Sequence, residues 1–198
     1  MKIKTFAFAV IASLALLAPA LAQFQPTPST KSFRPTYQAT IVGLVTASPA
    51  TDFLTINGSA SKVVTVLNAE CYGSAGTAGT ADILLFRRST ANLTGTSTAP
   101  VAVSMDTGSP VATAAVRAYT VNPGTLGTTT GPFRSAKLAL PVPATGAVLQ
   151  RLQFLFGDGP GEQGVVLRGV AQTLALNGNA AALGAGAAIS CSFTWTES

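Results

Sequence analysis

The chain closes on Ile189-Ser190-Cys191-Ser192-Phe193-Thr194-Trp195-Thr196, where apolar and hydroxyl residues alternate without a break. Side chains along a β-strand point to opposite faces with period two, so Ile189, Cys191, Phe193 and Trp195 share one face and four hydroxyl residues share the other. This predicts a strand with one face in a core and one in water. The stretch carries the only tryptophan and one of the two cysteines, so the fold is expected to close on it and to need the whole chain.

Working outward, apolar runs recur at short intervals between Gly, Pro, Asn and Ser clusters. Strands are read at residues 39–47, 53–56, 62–72, 81–88, 101–105, 114–121, 135–140, 148–156, 165–176 and 187–195. Eight to ten short strands with turn signals between them predict an all-β, antiparallel β-sandwich of jelly-roll-like character. Faces can be assigned in places. Val148, Leu152, Phe154 and Phe156 oppose Arg151 and Gln153, and Val63, Leu67, Ala69 and Cys71 oppose Asn68 and Glu70. Ile83-Leu84-Leu85-Phe86 is apolar on both sides and reads as a central strand or a subunit contact. The Gly-rich connections 73–79, 122–127 and 157–161 lack the strand-to-helix pattern with Lys and Ser/Thr that cradles phosphate, and so read as turns.

The composition agrees. Of 198 residues 47% are hydrophobic and only 10% are charged, against about 25% charged in an average domain. Thr and Val favour half-buried strands, and the length supports one core without metal. At the N-terminus, Lys2 and Lys4 precede an apolar run over residues 6–17 and the small-residue site Ala20-Leu21-Ala22. That order marks a helical signal peptide over 1–22, cleaved after Ala22, with no membrane span left in the product. Residues 23–37, rich in Pro, Ser and Thr, read as an extended arm, and residues 38–198 as a single sandwich domain. The destination is then secreted, periplasmic or cell-surface.

The chain has no histidine, which removes the commonest general base and zinc ligand and any Ser-His or Cys-His dyad. Seven carboxylates remain: Asp52, Glu70, Asp82, Asp106, Asp158, Glu162 and Glu197. Asp158 and Glu162 lie in a Gly/Pro turn where solvated acids are common, which disfavours a glycosidase pair. No alternating Asp/Asn loop for calcium is present. Arg87, Arg88, Arg117, Arg134, Arg151 and Arg168 are spread along the strands. They read as solvated positions or partners for the few acids, not as a nucleic-acid face. Trp195 belongs to the core and is no sugar platform. Asn57-Gly58-Ser59 and Asn92-Leu93-Thr94 match the glycosylation sequon. No catalytic, cofactor or metal residues are assigned.

The alternation places Cys71 and Cys191 on inward faces. An oxidising destination makes them a candidate disulfide, whereas a cytosolic one leaves two small buried hydrophobes. In a jelly-roll order their two strands can be neighbours.

The segment 85–92, with Gly95-Thr96-Ser97-Thr98-Ala99-Pro100 and residues 114–123, resembles a family of β-rich proteins from phage genomes, prophages and viral environmental sequence. The likeness extends through residues 154–158, 166–171 and 193–197. It implies a virion-associated structural role and carries over no catalytic residue. The expected function is a non-enzymatic structural or surface-exposed interaction module of phage type, with other proteins or copies of itself as partners. A secreted glycan-binding or adhesive protein, engaging cell-surface glycans, is the alternative, and a histidine-free secreted hydrolase stands third.

Overall fold

The computed structural model describes residues 34–144, 147–157 and 162–198. The signal peptide, most of the arm and Asp158 lie outside the described residues. Among the described residues twelve strands form: β1 (Thr36–Leu44), β2 (Ala50–Asn57), β3 (Val63–Ser74), β4 (Gly79–Arg88), β5 (Ser97–Thr98) and β6 (Ala102–Ser104). They continue as β7 (Ala115–Tyr119), β8 (Pro132–Leu140), β9 (Leu152–Leu155), β10 (Val165–Arg168), β11 (Thr173–Ala181) and β12 (Ala188–Glu197).

Two antiparallel sheets result. The first runs β10-β3-β12-β1-β6, with β9 also on β3, and the second runs β5-β7-β2-β11-β4-β8. Because β9 and β10 pair with successive halves of β3, they act as one interrupted strand. Setting β5, β6 and β7 aside as an insertion leaves eight strands. Their orders are first-eighth-third-sixth in one sheet and second-seventh-fourth-fifth in the other, the double Greek key of a jelly roll. The β-sandwich expected from sequence is therefore the observed fold.

The core lies between the sheets. Phe193, Trp195, Val66 and Leu167 from the first sheet meet Leu54, Ile56, Ile83, Leu85, Leu174 and Leu176 from the second, and all are buried. Trp195 stacks on Tyr37 with ring centroids 5.8 Å apart, and Tyr37 donates its hydroxyl proton to the Pro110 carbonyl at 2.8 Å. Cys71 and Cys191 are register partners on β3 and β12, with Cα atoms 4.2 Å apart, and form a disulfide across the centre of the first sheet.

Several expectations change. Tyr37 is no arm residue: it opens the core face of β1, where Tyr37 pairs with Trp195 and Ala39 with Phe193. The hydroxyl face of β12 is not all in water. Between β3 and β1, Ser192 donates to Glu70 and is reached by Gln38, and Ser190 accepts the Gly43 amide proton. On β3 a bulge at Leu67 reverses the faces, so Val64 and Val66 point inward before it and Ala69 and Cys71 after it. Residues 165–176 are two strands in different sheets, broken at Gly169, whose φ of +81° suits a glycine turn. The strand at 148–156 shrinks to β9, leaving Val148 79% exposed. Ile83 and Leu85 are fully buried on the core face of β4, an interior strand of the second sheet between β11 and β8.

Candidate functional site

Two buried carboxylates fix the surroundings of the site. Asp52 on β2 receives a bidentate pair from Arg88 on β4, Nε to Oδ2 and Nη2 to Oδ1, both at 2.7 Å. Asn92 and Asn177 each donate a further amide proton to it, at 2.8 and 2.7 Å. A charge removed from water is tolerated when paired and hydrogen-bonded in this way. Arg88 then donates through Nη1 to the Gly127 carbonyl at 2.7 Å, and Gly127 donates its amide proton to Asn92. The β4–β5 and β7–β8 connections are thereby pinned to one another and to the second sheet. Ser89 to Thr128 and Leu93 to Thr125 extend the clasp through backbone bonds. Gly127 has no room for a side chain, since a Cβ would collide with the Thr90 carbonyl.

Glu197 ends β12 under the end of the β6–β7 connection, just before β7. Its carboxylate accepts amide protons from Thr113 and Ala114, the Thr113 hydroxyl proton and the Trp195 indole proton, and lies 3.5 Å from the Lys62 ammonium. Burial pushes the carboxyl up, but the Ala114 amide, Thr113 hydroxyl, Trp195 indole and Thr113 amide outweigh it and hold it below its ordinary value of 4.5. A depressed folded value contributes stability that is present above the unfolded value and lost as pH falls through the folded one. Melting temperature is therefore expected to decline below about pH 4.5, and Glu197→Gln to lose stability at neutral pH while flattening that decline. Thermal melts between about pH 7 and pH 3 check this, and equal acid slopes for the two proteins would contradict it.

Between these anchors lies a cleft of about 510 Å³ on the outer face of the second sheet. Its floor follows from period two. Val116 and Ala118 of β7 enter the core, so Ala115, Arg117 and Tyr119 face outward beside Asn57 of β2 and Ser97 of β5. The roof is the segment 91–95 held by the Asp52 cluster, and Val170 and Gly58 complete the rim. Among the described residues Arg117 is the only charged one lining it, and it forms none of the ion pairs found there. Both sequon asparagines are engaged. Asn57 donates to Val170 and Thr173, and Asn92 to Asp52.

A second hollow of about 510 Å³ opens beside β8 and β10, lined by Arg87, Arg134, Phe133 and Phe156 among others. Arg134 lies 4.9 Å above the Phe156 ring and donates to the Leu155 carbonyl, so this guanidinium is already engaged.

The arginines read from sequence thus divide. Arg88 and Arg151 pair with Asp52 and Glu70, while Arg117 stays exposed in the cleft. Trp195 is fully buried, as its apolar face indicated. Sequence reading missed the cleft, because Asn57, Leu93 and Arg117 converge only through the crossovers. The period-two exposure of Arg117 was its one local signal. Among the described residues no group of three or more His, Cys, Asp or Glu could hold a metal ion, and no helix is long and apolar enough to cross a membrane.

Fold and cleft together define a disulfide-closed jelly-roll sandwich carrying an outer-face cleft of mixed polar and apolar lining. Comparison with protein-family models, curated proteins and solved structures finds no match for the chain.

Proposed function

We propose that this chain is a non-enzymatic structural or surface-exposed interaction module of phage type, exported and oxidised before it matures. The observation carrying this reading is that the fold consumes its ionisable groups internally. Asp52 and Glu197 are buried and paired with Arg88 and Lys62, and Glu70 and Asp82 meet Arg151 and Lys137 in more exposed pairs, so four of the seven carboxylates are matched by cations of the same chain. The buried disulfide fits an oxidising destination. Its partners are protein surfaces, copies of itself among them.

Mass spectrometry tests both halves of the proposal. The exported chain is expected to begin at Gln23 with Cys71 and Cys191 bonded, and to band with purified particles. Retention of Met1, or two free thiols, would overturn export. Recovery only as free protein in the culture medium would favour the second reading, an adhesive or glycan-binding protein of the cell surface. The cleft favours that second reading, because amide, hydroxyl and guanidinium groups converge there.

A further inference from the structure

The geometry points to the Arg117 cleft as a binding site for a carboxylate-bearing sugar, a ligand of monosaccharide size. This deepens the adhesive reading by naming the chemistry of its ligand. The first observation is electrostatic. The neighbouring buried acids are already neutralised, Asp52 by Arg88 behind Asn92, and Glu197 by Lys62 behind Thr113. Arg117 is therefore the one uncompensated charge in a concavity whose volume falls in the range of small-ligand sites. A guanidinium offers a planar fork that a carboxylate meets with two parallel hydrogen bonds.

The second observation is the rest of the lining. Ser97 and Tyr119 bring hydroxyl groups, and the Asn57 carbonyl and Thr113 hydroxyl oxygens, whose protons go to Val170, Thr173 and Glu197, remain as acceptors for the vicinal hydroxyls of a sugar ring. Leu93 and Val170, 60% and 58% exposed, offer apolar contact for its C–H face at the rim. A simple inorganic anion would use the fork and leave these groups idle.

The third observation concerns the roof. Thr94 has φ +60° and Gly95 φ +83°, two successive left-handed residues, and a β-branched residue there is an outlier. The surroundings hold the conformation in place. The Gly124 amide donates to the Thr94 hydroxyl at 3.0 Å, and the carbonyls of Val121 and Asn122 fill the space where a Cβ on Gly95 would sit. Strain held by several contacts is typical of ligand clamps, and here it fixes the shape of the cleft before any ligand arrives.

The test uses the mature, oxidised protein with glucuronic acid and N-acetylneuraminic acid as probes, and glucose, acetate and inorganic phosphate as comparators, read by saturation-transfer NMR and titration calorimetry. At least one sugar acid is expected to bind with a dissociation constant of about 1 mM or below, with every comparator weaker. Arg117→Gln is expected to weaken that binding roughly 10- to 100-fold, and Arg117→Lys to fall between. Both should melt with the parent, because Arg117 is exposed and unpaired, and Arg168→Gln, outside the cleft, should bind as the parent does. Phosphate or glucose binding as tightly as the sugar acids would overturn the inference. So would undiminished binding by Arg117→Gln, or no binding of either acid up to about 10 mM. A protein that bands with particles yet ignores sugar acids keeps its structural role and loses this site.

Discussion

Replacing Arg88 with methionine is expected to destabilise the protein by about 3–5 kcal/mol, because it strands the Asp52 carboxylate in the protein with no cation beside it. The side chains of both residues are all but inaccessible, at 3% and 0% exposure, so water cannot substitute for the lost guanidinium. Asn92 and Asn177 would still donate to Asp52, but two neutral donors do not replace a bidentate charge pair. Adding Asp52→Asn removes the stranded charge and keeps an acceptor for the asparagines. The double variant is therefore expected to recover about 1–3 kcal/mol of the loss. Urea denaturation of the two single variants and the double gives the coupling directly, and a loss under about 0.5 kcal/mol for Arg88→Met would refute the account. The change should also loosen the clasp over the second sheet. Gly127 loses the proton donor to its carbonyl, so the amides of Leu93 and Gly127 are expected to exchange faster than those of β11.

How much of this was legible in the sequence depended on the range of the signal. Alternation is local, and it revealed β12, the burial of Trp195 and the inward cysteines. The number and spacing of strands were enough to suggest a jelly roll. Reading failed where one residue changes the register. Leu67 adds a bulge that no propensity marks, and Gly169 breaks a run, Val-Val-Leu-Arg-Gly-Val, that reads as continuous. Composition misled at Tyr37, because the Pro- and Ser-rich segment before it hid the start of the Tyr37-Ala39-Ile41 alternation. The Asp52 cluster gave no local sign at all. Its other members lie 36 to 125 residues from Asp52, and only the pairing of β2 and β4 around β11 brings them to it. The cleft depends on the same long-range assembly. Sequence could show that Arg117 faces out, but not that a pinned loop would make a concavity over it.

The Cys71–Cys191 bridge is the other interaction whose loss should be large. It closes a span of 120 residues, which in the chain-entropy model corresponds to about 5 kcal/mol of constraint on the unfolded chain. Reduction of the wild-type protein is expected to lower its stability by about 3–5 kcal/mol, since the thiols keep the core volume while the constraint disappears. Replacing both cysteines with alanine should cost more, because both sulfurs sit in the core at 1% exposure and their removal leaves a void. The two losses separate the effect of the link from the effect of packing. The bridge also ties the final strand to β3, so a reduced chain unfolds to a more open ensemble and its denaturant slope should steepen. Guanidinium titrations with and without reductant measure both quantities. If the oxidised and reduced proteins unfold at the same denaturant concentration, the bridge contributes nothing as a constraint, and closure of the sandwich rests on the packing of Trp195, Phe193 and their neighbours alone.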